Sequence, residues 1–322
     1  MNPLTPGIEK APTSNDYRAV ALVTIITPFL AFLLAVILLW RRAVGPLDLW
    51  LCLAMYAVTL LGITVGFHRL FTHRSFRCPM PIRAILCIAG SMAAQGSVFF
   101  WVASHRLHHQ CSDDAGDPHS PHLAGGDGFG LLRGWWHAHV GWMYSVVPKN
   151  YFRLIPDLLR DRMIVRVNRF YLVFVFLGLI LPGAVGAGIS GKAEGFWTGL
   201  LWGGFVRIFL VHHVTWSINS VCHLFGDSPF VTNDQSRNNI ACAIFGFGEG
   251  WHNNHHAFPS SARHGFYWWQ IDFGFVIIRL MEVLGLADEV RQPSSEQVIS
   301  RQRSCALIAE SKAGETYDRR NS

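Results

Sequence analysis

The sequence predicts an all-α integral-membrane protein, with four transmembrane helices in two hairpins and a helical cytoplasmic cap carrying a histidine cluster. Three observations predict it. Hydrophobic residues make up 51% of the 322-residue chain and charged residues only 15%, the profile of a chain partly solvated by lipid. Four apolar runs are long enough to span a bilayer, which takes roughly 20 residues. The 16 histidines gather largely outside those runs, in short clusters.

The elements come in chain order: an N-terminal segment 1–18, a first hairpin 19–67, a first cap segment 68–169, a second hairpin 170–217, a second cap segment 218–291, and a polar tail 292–322. The first run, 19–40, is too long for a signal-peptide core and reads as a retained anchor. Residues 41–46 turn the chain into the run 47–67. The runs 170–190 and 197–217 form the second pair, joined by the short polar segment 191–196. A fifth run, 84–102, is long enough to span but contains Ser91, Gln95, Gly96 and Ser97. If it crossed, the histidines before and after it would lie about 30 Å apart on opposite faces. It therefore reads as an interfacial or cap segment, and every histidine cluster then falls on one face.

Charge assigns that face. Of the 27 Lys and Arg, 12 fall in 68–169 and nine after position 217, which suits a cytoplasmic side facing anionic lipid. Both termini then lie in the cytoplasm. The net charge of +6 forms no single basic face, so nucleic acid is not an expected partner. The seven cysteines form no CxxC pair, which favours a reducing compartment.

The histidines carry the chemistry. His68 and His73 stand at i, i+5. His105, His108 and His109 form one HxxHH, and His252, His255 and His256 a second. On a helix, i, i+3 and i+4 share one face, so each HxxHH presents three imidazoles together. The i, i+5 pair does not share a face of an ideal helix and fits a helix end where the chain turns over the site. His223 follows the last apolar run, with Asn219 four residues before it. Nine imidazoles are too many for one metal and suit two of higher coordination, with Zn, Cu, Fe and Ni all compatible. A binuclear site in a membrane setting points to oxygen chemistry on a lipid. His119, His122, His137, His139, His212, His213 and His264 read as ordinary surface or core histidines, with His139 and His213 the candidates to stand behind the ligands. A histidine-rich metal transporter would need ligands along its spans. The spans hold Asp48, Arg207, His212 and His213 but no ladder of carboxylates.

From about residue 47 to 290 the chain resembles the membrane fatty-acyl desaturases, stearoyl-CoA desaturases and their bacterial Δ9 relatives in particular. The resemblance rests on GFHRLFTHRSF (66–76), WVASHRLHH (101–109), DPHS (117–120), HVGW (139–142), TWSINSVCH (215–223) and GEGWHNNHHAFP (248–259). It implies two iron ions held by His68, His73, His105, His108, His109, His223, His252, His255 and His256, with Asn219 acting through water. It also implies a bent apolar tunnel lined by Trp101, Thr215 and Trp216, and O2-dependent cis desaturation of a long acyl chain at Δ9. A lipid hydroxylase or ketolase is the alternative on the same centre. No cytochrome, flavin, nicotinamide or Fe–S motif is present, so a separate ferredoxin or cytochrome b5-like donor is expected on the cytoplasmic face. The expected location is a bacterial inner membrane. Two departures concern the acyl carrier, whether CoA, acyl carrier protein or a glycerolipid. Where acyl-CoA relatives carry phosphate-binding cations this chain has Val102, Ala103 and Ser104, and later Ser145, Val146 and Val147. The Gly-rich stretch 121–132 looks inserted. Arg106 and Arg133 are the cations nearby in sequence that could substitute.

Overall fold

A computed structural model describes residues 10–12, 15–40, 44–124, 128–148 and 150–302. The expected turn at 41–43, some of the Gly-rich stretch, Lys149 and the tail beyond 302 lie outside the described residues. The regular elements of the described chain are helices, apart from one short ladder in which β1 (Lys10–Pro12) pairs antiparallel with β2 (Val146–Pro148). The α-helices in order are α1 (Asn15–Trp40), α2 (Pro46–Leu61), α3 (Met80–Ser91), α4 (Val98–Cys111), α5 (Gly128–Trp136), α6 (Trp142–Ser145), α7 (Pro156–Arg160), α8 (Arg162–Arg169), α9 (Tyr171–Ser190), α10 (Ala193–Gly199), α11 (Arg207–Ser220), α12 (Ile240–Phe245), α13 (His252–Ala257) and α14 (Phe273–Val283).

Among the described residues, three helices are long and apolar enough to cross a membrane: Arg18–Leu39, Pro46–Thr72 and Tyr171–Ser190. The first and third of them expose Val23, Leu30, Ile37, Phe176 and Ile180, an apolar surface of the kind that lipid covers at little cost. The fourth expected span is an unbroken helical stretch through α10, a π-helical segment Leu200–Val206, and α11. It carries Arg207, His212 and His213 and is not among the three. Glycines bring it close to α9. A Cβ on Gly199 would sit 2.4 Å from the Pro182 carbonyl oxygen, so the two backbones meet with no side chain between them.

The run 84–102 does not form one helix. α3 ends at Ser91, Ala94 and Gly96 take φ of 57° and 95°, and α4 starts after Ser97, whose Oγ accepts from Phe100 N–H. The 12 residues of α3 reach only about 18 Å, short of a bilayer core. The break lets α4 turn its histidines toward the end of α2.

The start of the polar tail is ordered against the cap. Residues 295–302 are helical, Val298 is buried beside Phe230 and Ala257, and Tyr267 donates to Gln302 at 2.8 Å. An apolar residue at the right register docks this segment, which polarity alone does not reveal.

Candidate metal centre

The spacing of His68 and His73 finds its explanation in the backbone. α2 continues as a π-helix from Gly62 to Thr72, in which bonds run i to i+5, and His73 N–H donates to the His68 carbonyl at 3.1 Å. The pair therefore shares a face, with ring centroids 4.8 Å apart, and His73 caps the helix end, just before the chain turns at Arg74 with φ of 52°. His105, His108 and His109 leave α4 on one side. α13 has only six residues, too few to hold by propensity. Asn253 exchanges hydrogen bonds with the Phe230 backbone, and Asn254 donates to His264 O at 2.8 Å and Gln270 Oε1 at 3.0 Å. The two asparagines between the histidines thus pin the helix that presents His252, His255 and His256.

These elements bring the nine expected imidazoles together in two groups. One comprises His68, His73, His105, His109 and His255. The other comprises His108, His223, His252 and His256. Within each group the potential ligand atoms lie within 4.8 Å of one another. Nε2 atoms face each other at 3.1 Å for His68 and His255 and at 3.0 Å for His223 and His252. Buried Nε2 atoms of His73, His108 and His256 have no hydrogen-bond partner. Converging lone pairs and orphaned nitrogens are what a bound cation would satisfy, so the donor set fits two metal ions.

Carboxylates hold four of the rings from behind. Glu249 lies 2.5 Å from His68 Nδ1, Asp117 2.9 Å from His108 Nδ1, Asp113 2.8 Å from His223 Nδ1 and Asp234 2.6 Å from His256 Nδ1. Each contact fixes a tautomer with the proton on Nδ1 and turns Nε2 inward. Burial, then the neighbouring imidazoles, push His105, His109 and His255 well below the usual imidazole range, which keeps them neutral and able to bind. At His108 burial acts the same way, but Asp117, with Asp113 and Asp234 further off, outweighs it and raises that ring.

Two histidines expected to be ordinary in fact stand at the cluster. His264 Nδ1 is 2.9 Å from Arg69, and His119 packs on His108 at 4.6 Å between centroids. Burial, chiefly, takes His119 down to about 3. His139 and His213 pair with each other at 3.0 Å, and His139 reaches Ser220 at 2.9 Å; the ring contacts of the nine do not include them. Arg69, fully buried, joins Glu249 and Asp272 at 3.0 Å each. The four carboxylates escape a reading of the sequence because each is remote along the chain or lies in irregular backbone; DPHS and the Glu of GEGW are the available signals.

Two cavities flank the cluster. An apolar one of about 390 Å³ is lined by His105, Asn219, Gln95 and all three expected tunnel residues, Trp101, Thr215 and Trp216. Asn219 thus stands on the same cavity wall as His105, a ring of the cluster. A polar cavity of about 450 Å³ reaches His73, His109 and His256 together with Arg106, Asp234 and Arg301. Arg106, one of the two cations that could have substituted at the mouth, does not line the apolar cavity. Its guanidinium is bound to Asp157 at 2.7 and 3.0 Å and to the carbonyls of Phe71 and Leu154, and it lines the polar cavity.

The fatty acid desaturase family profile matches residues 44–280. Among characterised proteins, a hex-5-enoyl-[acyl-carrier protein] acetylenase of Moorena producens is 45% identical over 88% of this chain and 91% of its own length. An sn-1 stearoyl-lipid 9-desaturase of Synechocystis is 40% identical over 74% of this chain and 70% of its own. An acyl-CoA C20 Delta5-desaturase of Anemone leveillei is 39% identical over 76% and 74%.

Proposed function

Because this chain belongs to the fatty acid desaturase family, we propose that it removes two hydrogens from adjacent methylenes of a long acyl chain, leaving a cis double bond at Δ9. The observation that carries this reading is an imidazole cluster that meets an apolar cavity at His105. Two iron ions, held by the nine histidines with Asn219 acting through water, would supply the reduction of O2 that makes an unactivated C–H bond breakable.

The chain's own residues do the rest. The cavity walls exclude water and hold the acyl chain in register. Each buried methylene contributes roughly 0.8 kcal/mol, so position is selected without a polar handle. His105 lies at the cavity's inner wall, stacked on Trp101 at 5.1 Å between centroids, so the chain passes within contact of a ligand ring. Two electrons from a separate donor and two from the substrate reduce O2 to two waters. A ferredoxin or cytochrome b5-like protein docking on a cytoplasmic face is the donor we infer, with the protein multi-pass in the membrane.

For the carrier, Val102 and Ala103 are fully buried and Arg106 is engaged elsewhere, which supports a mouth that depends little on CoA phosphates. The named relatives act on acyl carrier protein, lipid and CoA substrates, so likeness alone does not choose. The acetylenase supports a second reading, the same two-hydrogen removal from a chain that already holds a double bond.

The test is expression in a host without this activity, with a donor supplied, and mass spectrometry of acyl lipids. New monoenes support desaturation. Hydroxy or keto products, or none in a metal-replete preparation, overturn it. Membranes given labelled phospholipid or labelled acyl-CoA with acyl transfer blocked separate the carriers.

A further inference from the structure

Arg207 is an arginine fully buried in an apolar helix, a costly placement that needs a reason. Its guanidinium ties three elements. It donates to the Met92 carbonyl at 2.7 Å, to the Gly178 carbonyl of α9 at 2.6 Å and to the Gly203 carbonyl of the π-helical segment at 3.1 Å. Gly178 permits the approach, since a Cβ there would sit 2.9 Å from the Met92 Cβ and 3.2 Å from the guanidinium. Five residues on, His212 Nε2 donates to the Ala93 carbonyl at 2.9 Å. Met92 and Ala93 are the residues at which α3 stops. Their carbonyls are buried helix-end acceptors with no next turn to satisfy them. These two side chains of α11 therefore cap the broken helix from the side.

The residues just beyond this cap form a wall of the acyl cavity. Ala94, Gln95, Gly96 and Ser97 all line it. Gln95 donates to Thr215 Oγ1 at 2.6 Å and accepts from Trp101 Nε1 at 3.4 Å, while Gly96 N–H donates to the Tyr171 hydroxyl at 3.0 Å. Trp101 in turn stacks on His105. A continuous chain of contacts runs from Arg207 and His212, through the turn, to a ring of the imidazole cluster. Moving the turn moves the wall against which the acyl chain is registered to the centre.

We propose that Arg207 and His212 are positioning residues that fix the turn 92–96 and so set which carbon pair is desaturated. The inference rests on the desaturase reading and deepens it. Neither residue touches the cavity; both act through the turn. Registers one methylene apart differ modestly in free energy, so the loss of one hydrogen bond is enough to change the balance between neighbouring positions.

The experiment expresses wild type, His212→Gln, His212→Phe and Arg207→Met in the same desaturation-deficient host and measures the ratio of positional isomers in the monoene product, beside total product and protein amount. His212→Gln keeps a donor for the Ala93 carbonyl and should keep the wild-type ratio. His212→Phe removes it and should shift the ratio about fivefold toward a neighbouring position. Arg207→Met should shift it further; if that variant fails to accumulate, His212→Phe decides. A His212→Phe enzyme with reduced product or stability but an unchanged isomer ratio would show a merely structural role and overturn the proposal. A wild-type chain that makes no unsaturated product would instead refute the desaturase reading, and this inference with it.

Discussion

Glu249 grips His68 from behind, 2.5 Å from Nδ1, while its other oxygen lies 3.0 Å from the buried guanidinium of Arg69, the very next residue. One carboxylate thus orients a candidate ligand and neutralises a cation that has no access to water. Glu249→Gln should lower metal affinity about 10- to 100-fold, the usual cost of losing such a partner. Metal analysis after graded chelation measures it, and wild-type retention would remove Glu249 from the orienting role.

Metal content is the next expectation. Two groups of imidazoles predict about two metals per chain in native preparations. Overexpressed protein that has taken up zinc, which outcompetes ferrous iron at nitrogen sites, should be inactive. One metal or fewer after full reconstitution would sink the binuclear reading.

His105→Ala, His223→Ala and His256→Ala should each abolish product while membrane insertion persists, because all three lie outside the spans. Turnover near wild type in any one would remove that residue from the ligand set.

Acid stability has a local source. At Asp157 burial favours the neutral form, but bonds from Arg106 and Arg74 outweigh it and hold the carboxyl down to about 2. A depressed carboxylate contributes stability above its unfolded value of about 4, and that contribution fades as pH falls from there toward 2. Asp157→Asn should therefore melt lower than wild type in detergent at pH 7, with the gap closing toward pH 3. A gap that is the same at both values would count against this account.

Backbone contact in the bundle is tested by two glycines. A Cβ on Gly62 would fall 2.1 Å from the Gly90 nitrogen, whereas nothing lies within 4 Å of one on Gly188. Gly62→Ala should cost on the order of 1–3 kcal/mol or more, and Gly188→Ala should be neutral to slightly stabilising. Comparable melting temperatures for the two variants would contradict the packing described.

Eight of the nine imidazoles are legible in the sequence because their spacing is local, as HxxHH or HxxxxH; His223 stands alone and is found through its place after the last apolar run and the TWSINSVCH resemblance. The i, i+5 pair correctly suggests a helix end, but the π-helical register that aligns its two rings is not legible, since a π turn has no clear compositional mark. Asp113 and His223 are 110 positions apart, so no window along the chain holds both. His119 and His264 look ordinary because each stands alone in irregular backbone, outside any HxxHH spacing. The break at 92–96 is half legible, in that Gln95 and Gly96 argue against a clean span. Arg207 is only an expense within an apolar run until the carbonyls it caps are in view.

The cluster sits as a partition between two compartments, oily on one side and wet on the other, each reaching different rings. Traffic to such a centre need not share a doorway. On the function proposed above, an acyl chain could stay seated against His105 while small polar molecules come and go past His73, His109 and His256. In kinetic terms this favours ordered, simultaneous occupancy over a shuttle in which one visitor must leave before the next arrives.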